Sequence, residues 1–448
     1  MMKSAPKPWS RWVEPVLAVC VGAGLAWSLG YLLIYGHLNT PFFYEPFDTW
    51  MDWFNTAFWA HHLGAFETWG SIYPPLSFVV MKLVTTSRCY DFADPRLCDV
   101  YGIVTLHLFY ILNIVLVAKT YLKIDGSTAI PRTFALTAGL PMVFALERGN
   151  LILLCFACLL LAYGPLLRSA RWRWFFAACA INFKVYLVGT LFAQLLRRRW
   201  RWFEGAAIVT LLVYLVSFAI MGEGTPRQIY ENIAYYSSGY LAKNPLDLMY
   251  AGTYKPLLSV LNGDGFPVIT AIGSRQVEFW AFALPIVVYL VLGLIALAAM
   301  ATAFRPTSIP MHRIVFLSIA AALISSEAGY YTTMFLLLFV FMEPWRGFGR
   351  IWSIVMSYLL CIPADVPLYW TPPIAMESFL GGRQVIAQFV VGVGPFARPG
   401  LILSIVVAMS FVTLRQVWDQ LRSEGWRLGL PPRNAGMPTA TEGIPSNV

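Results

Sequence analysis

Ionisable residues are scarce in this 448-residue chain, and where they sit inside apolar sequence they mark candidate chemistry. The densest stretch is FYEPFDTWMDWFNTAFWAHHLGAFETWGSIYPPL, with Asp48 and Asp52 four residues apart. On a helix that spacing puts both carboxylates on one face. The Trp and Phe around them read as an amphipathic helix lying at a membrane interface. The stretch runs into Tyr73-Pro74-Pro75-Leu76, a rigid turn that opens an apolar helix. Three further spots lie deep in apolar runs: Glu147-Arg148-Gly149-Asn150, Asn182-Phe183-Lys184, and Ser325-Ser326-Glu327 followed by Gly329-Tyr330-Tyr331. Charge at membrane depth is costly, so each is a functional candidate.

Other signatures fail. The chain has no GxSxG, Walker A, HExxH or DxD motif. His37, His61, His62, His107 and His312 show no ligand spacing, so neither a metal nor a cofactor is expected. Cys155 and Cys158 form a CxxC inside an apolar run without a second pair. They read, like Cys20, Cys179 and Cys361, as small hydrophobes. Cys89 and Cys98 flank a polar loop, and a disulfide is expected there if the loop faces an oxidising compartment.

The elements that must position these residues follow from composition and charge. The chain is 58% hydrophobic and 12% charged, with a mean hydropathy of +0.64. A soluble domain carries about 25% charged residues. A multi-span membrane protein is implied, and disorder, coiled coil, secreted disulfide scaffold and nucleic-acid-binding domain are excluded. The net charge of +9 reads as loop Lys and Arg that orient the spans. Lys/Arg clusters at 3–11, 119–132, 168–173, 197–201, 305–313, 346–350 and 415–433 are placed in the cytoplasm. Residues 37–99 carry seven acids against three bases and are placed outside.

Interval lengths then constrain the path. Crossing a bilayer takes about 20 helical residues. Only 23 residues separate Arg173 from Arg197, which is too few for two spans. The reading is a chain that dips in and returns as paired short helices. The three polar spots are the apices, and they face one outward cavity. Full spans are expected over Val13–Tyr35, which is read as uncleaved, and over Phe203–Met221, Phe279–Ala303, Ile351–Ile362 and Leu401–Trp418. Residues 222–277 and 363–399 read as external loops, and 422–448 as a disordered cytoplasmic tail. The fold class is therefore an all-α polytopic membrane protein, one domain over 1–421, with about 10–13 helical segments.

An external acidic segment after the first span, a YPPL turn and paired short helices together resemble the GT-C superfamily of integral-membrane glycosyltransferases. The likeness is greatest to glycosyltransferase family 87, the polyprenyl-phosphate-mannose-dependent group. It rests on Asp52-Trp-Phe-Asn-Thr-Ala ahead of Ser71-Ile-Tyr-Pro-Pro-Leu76, on Glu147-Arg-Gly-Asn150, and on Asn182-Phe-Lys184-Val-Tyr186 ahead of RRRWRW. It covers roughly residues 40 to 205. The family's proline after the lysine is absent here. The resemblance implies a GT-C-like bundle and an inverting, metal-independent hexose transfer. The donor would be a polyprenyl-phosphate sugar, the acceptor a lipid or exported glycan, and the place the outer face of a bacterial inner membrane. Membrane lipids are then partners and nucleic acid is not. Asp52 or Asp48 would be the general base. Arg148 and Lys184 would hold the departing phosphate. Tyr73, Asn150, Glu327, Tyr330 and Tyr331 would contact substrate. A repeat-unit polymerase using the external Arg227, Arg275, Arg383 and Arg398 is the alternative. A transporter fits less well, because the halves of the chain show no internal symmetry.

Overall fold

A computed structural model describes residues 10–42, 45–237, 248, 251–254, 273–325 and 329–424. It is mostly helical, with sixteen α-helices among the described residues, more than the sequence reading anticipated. They are α1 (Ser10–Tyr35), α2 (Met51–His61), α3 (Pro75–Val84), α4 (Val100–Ile124), α5 (Ala129–Thr137), α6 (Leu140–Glu147), α7 (Ile152–Tyr163) and α8 (Ala170–Phe183). Then follow α9 (Gly189–Leu196), α10 (Trp200–Met221), α11 (Pro226–Ser237), α12 (Ser274–Phe304), α13 (Met311–Ser325), α14 (Thr333–Val340), α15 (Phe348–Cys361) and α16 (Gly394–Glu424).

Six helical stretches are long and apolar enough to cross a membrane: Trp12–Tyr35, Val100–Ile124, Ala129–Glu147, Trp200–Met221, Ser274–Phe304 and Gly394–Glu424. They fit a multi-pass membrane protein. The short helices have a different place. α7 (ILLCFACLLLAY) and α14 (TMFLLLFV) are apolar on every side, and such helices belong in a core. All eight residues of α14 are buried, and Phe156 of α7 stacks on Phe335 of α14 at 6.2 Å. Longer helices such as α1 and α12 keep large apolar side chains exposed, as lipid-facing helices do: Leu33 and Ile34 on α1, Tyr289 and Leu290 on α12.

Each polar apex is a helix break. α6 and α7 part at Arg148-Gly149-Asn150, α8 and α9 at Lys184, and α13 and α14 before Tyr330. At the first break Gly149 takes a φ of +66°. A Cβ there would also lie 2.8 Å from the Trp50 carbonyl oxygen, so glycine is required twice over. At the second, Lys184 is extended, and Asn182 ties the end of α8 to α10 by donating to the Thr210 carbonyl at 3.1 Å. The paired-helix reading of these intervals holds, with one asymmetry. α5 and α6 together make a 19-residue stretch, whereas α7 has only 12 residues.

Several expectations need correction. The fold is not purely helical. Residues 363–399 hold two antiparallel two-stranded sheets, β1 (Pro367–Trp370) with β4 (Val390–Gly392), and β2 (Ile374–Ser378) with β3 (Arg383–Ala387). The register of the second pair runs Ile374 to Ala387 through Ser378 to Arg383. The β-branched and aromatic residues of LYW, QVI and VV favour strands, and Gly381-Gly382 lets the β2–β3 chain turn. The loop at 222–277 contains α11. α15, 14 residues or about 21 Å long, is too short to span alone. α16 begins at Gly394, earlier than expected, and runs to Glu424; most of the expected tail lies outside the described residues.

Two arginines assigned to topology-setting clusters prove to be internal. Arg132 donates to both Glu14 carboxylate oxygens at 2.7 and 2.8 Å, and to the carbonyls of Phe341 and Glu343. Arg313 meets both oxygens of Glu343 at 2.7 and 2.6 Å. Arg350 and His312 reach the same carboxylate at 3.0 Å each. Tyr358 donates to Glu14 at 2.9 Å. This sealed network sits at the Glu14 end of α1.

Candidate functional site

At the other end of α1 the first connecting segment folds onto the α6–α7 break. Trp50 N–H donates to the Glu147 carbonyl at 2.8 Å, and Asp52 N–H to the Arg148 carbonyl at 3.0 Å. These carbonyls end a helix and have no partner within it, so the segment satisfies them. Asp48 and Asp52 do not share a helix face, as their spacing suggested. Asp48 closes a 3-10 turn, Pro46–Asp48, and Asp52 lies in the first turn of α2. Between them Trp50 has a φ of +64°, which interrupts any continuous helix.

The two carboxylates nevertheless converge. Arg148 Nη1 lies 2.8 Å from Asp48 Oδ2, and Arg148 Nη2 lies 2.9 Å from Asp52 Oδ1. The second Asp52 oxygen accepts from Asn150 Nδ2 at 2.7 Å. Asn150 is fully buried; its Oδ1 accepts from Ile152 N–H at 2.9 Å and so fixes the start of α7. The same amide nitrogen lies 3.2 Å from the Tyr73 hydroxyl. Lys184 Nζ sits 4.3 Å above the Tyr73 ring and has no carboxylate partner among the described residues. The result is one polar chain: Asp48 and Asp52 through Arg148 and Asn150 to Tyr73 and Lys184. Four sequence segments separated by up to about 130 residues supply it.

The local electrostatics divide the roles. Arg148 serves two carboxylates, so its charge is spent inside the site. Lys184 is buried, and the Tyr73 π-face is the nearest group seen against its ammonium among the described residues. Burial pushes the Tyr73 phenol far above its ordinary range, and the Asp52 carboxylate adds to the shift. Tyr73 is therefore a neutral hydroxyl at any physiological pH. Asp48 and Asp52 keep 29% and 23% of their side-chain surface open, so the carboxylates remain reachable.

Of the other expected residues, Tyr331 joins the site. Its ring packs at 5.8 Å on Phe144, which lies in α6 one turn before the Arg148 break. Tyr330 does not. It points to the opposite side of the third break, donates to the Leu360 carbonyl at 2.6 Å, and lies 5.0 Å from the Arg398 guanidinium. Consecutive residues at a turn diverge, and the sequence pair gave no means of choosing between them. Glu327 lies outside the described residues.

Sequence reasoning missed three contributors. Tyr186, quoted in the Lys184 motif but given no role, has a buried hydroxyl without a hydrogen-bond partner among the described residues. Arg96 is buried and clamps the segment that carries Asp48. It pairs with Asp94 at 2.8 Å, donates to the carbonyls of Phe47 and Thr49, and lies 4.1 Å from the Phe379 ring. The third is α11, whose Asn232 donates to the Phe66 and Ser71 carbonyls at 3.0 Å, holding the segment before Tyr73. The disulfide is present: Cys89 and Cys98 are bonded, with Cα atoms 5.4 Å apart, and their loop carries Arg96. Comparison with family models, curated proteins and solved structures gives no match, so the site stands on its own geometry.

Proposed function

We propose that the chain is an integral-membrane glycosyltransferase. It moves a mannose-like hexose from a polyprenyl-phosphate carrier to a hydroxyl of a lipid-linked or exported glycan. The face at the Tyr35 end of α1 is then the outer face of a bacterial inner membrane, and the bundle is GT-C-like. The observation that carries the reading is a partly open carboxylate, Asp52, linked through Asn150 and Tyr73 to a separate buried cation, Lys184, which forms no ion pair among the described residues. An inverting displacement needs those two parts. Asp52 takes the acceptor proton while the acceptor oxygen attacks the anomeric carbon. The bond from that carbon to the phosphate oxygen breaks, and the lipid phosphate leaves with one more negative charge, which Lys184 stabilises. Arg148 and Asn150 hold the base in position, and Tyr73 and Tyr331 offer hydroxyls to the sugar. Asp48 shares Arg148 and is the secondary candidate for the base.

The polymerase alternative draws less support. Arg227 is exposed and paired with Glu231, Arg275 and Arg383 are exposed, and Arg398 is buried against Asp365. The test is transfer by the purified protein in lipid vesicles, with radiolabelled polyprenyl-phosphate hexoses as donors and a bacterial lipid extract as acceptor. Label should pass from the carrier into product with wild-type protein and fail to do so with Asp52→Asn. Consumption of lipid-diphosphate oligosaccharide and of no monophosphate donor would replace this reading with the polymerase.

A further inference from the structure

The two-stranded module of residues 366–393 has a surface at odds with a water-exposed loop. Val366, Leu368, Tyr369, Trp370, Ile374 and Ile386 are all between 49% and 72% exposed. Every residue of β1 is exposed, whereas its partner β4 packs inward with Val391 and Gly392 buried, so β1 is the outer, apolar edge of the ribbon. An isolated two-stranded ribbon is marginal in water, and an apolar patch of this kind signals contact with something.

Charge is sorted along the module. Between Val366 and Val393 the only charged residues are Glu377 and Arg383. Both flank the β2–β3 turn, which is the part seated on protein. There Ser378 Oγ donates to the Gly36 carbonyl, Phe379 N–H donates to the Pro46 carbonyl at 3.2 Å, and the Phe379 ring meets Trp50 at 5.5 Å. The far part, with Leu368, Tyr369, Trp370, Ile374 and Ile386, carries no charge.

The module is also continuous with a surface that faces lipid. It is tied to α1 and the residues after it. Ser28 Oγ donates to the Pro363 carbonyl at 2.8 Å, and Thr40 Oγ1 donates to the Val390 carbonyl at 3.0 Å. At this end α1, a candidate span, exposes Leu29, Leu33, Ile34 and Tyr35. Aromatic residues set beside the end of a span are the composition of a membrane–water interface.

We infer that β1 and the open end of the β2–β3 hairpin sit at the membrane–water interface, with their apolar side chains in the leaflet at the Tyr35 end of α1. The partner is lipid, and the module is a membrane-seated wall beside the Asp48–Asp52 segment. The inference rests on the spans and not on the proposed transfer reaction.

Spin labels at single introduced cysteines test it, in the full chain with Cys20→Ser and with the buried Cys155, Cys158, Cys179 and Cys361 kept, reconstituted in nanodiscs; the chain without an introduced cysteine gives the background. Leu368→Cys and Ile386→Cys are the probes, Leu33→Cys is the lipid reference, and Ser127→Cys, in the short exposed turn between α4 and α5, is the water reference. Collision with oxygen should exceed collision with a polar nickel chelate at both probes, as at Leu33. Either probe behaving like Ser127 overturns the inference. So does low collision with both reagents, because that marks cover by protein. The references and retained nanodisc incorporation show that each labelled chain is folded.

Discussion

Two acid–arginine groups sit at opposite ends of α1, about 30 Å apart along its axis. At one end Glu14 with Arg132, and Glu343 with Arg313, are at most 2% exposed, and their polar atoms go to one another, to Tyr358, to Gln416 and to backbone carbonyls. At the other end Arg148 is shared by two carboxylates that stay partly open, and Lys184 faces a ring. The residue types are the same. In the first group the carboxylates themselves are buried and fully engaged, and only the outer cations His312 and Arg350 reach the surface, so it is built to hold helices. The second has a reachable carboxylate and a buried cation with no ion pair among the described residues, the two parts the proposed transfer would use.

Substitutions sharpen this contrast. The largest effect on stability is expected from Glu343→Gln. It leaves Arg313 and Arg350 around a neutral amide in a dry site, and breaking a buried pair this way costs about 3–5 kcal/mol. Thermal unfolding in detergent should show it. Next comes the double change Cys89→Ser with Cys98→Ser. The loop is short, so the expected cost is about 2–3 kcal/mol in the external segment, and the drop in transfer should exceed that of a remote change because the loop carries Arg96. Lys184→Met should leave unfolding near wild type and lower kcat/KM for the donor by roughly 10–100-fold, the worth of one charge-assisted contact made in the transition state. If transfer instead fails through lost stability, Lys184 belongs with the sealed group. The smallest effect is expected for Asp48→Asn: transfer reduced by less than about tenfold, because Arg148 still holds Asp52. A dead Asp48→Asn with an active Asp52→Asn would exchange the two roles.

Much of this was legible in the sequence. Apolar length marked α1, α10, α12 and α16, and the 23 residues between Arg173 and Arg197 forced a paired-helix reading. Polar residues inside apolar runs picked out Arg148, Asn150 and Lys184, because burying them needs a reason. What could not be read was convergence. The spacing of Asp48 and Asp52 implied a shared helix face, but the positive φ of Trp50 broke that helix, and their meeting point is a guanidinium 96 residues beyond Asp52. Arg132 and Arg313 looked like loop charges because their partners, Glu14 and Glu343, are far apart in sequence. The strands at 367–392 were hidden by Pro and Gly, which also mark loops.

The most direct test puts Asp52→Asn beside Glu343→Gln, with transfer and unfolding temperature measured on both. Asparagine keeps the shape of Asp52 and leaves Arg148 paired with Asp48, so stability should stay within about 1 kcal/mol of wild type, while turnover should fall by roughly 10²–10⁴-fold. Glu343→Gln should unfold early, and the fraction that stays folded should turn over normally. Near-normal transfer by Asp52→Asn, or a loss of stability as large as that of Glu343→Gln, would contradict the division between an open reactive group and a sealed structural one.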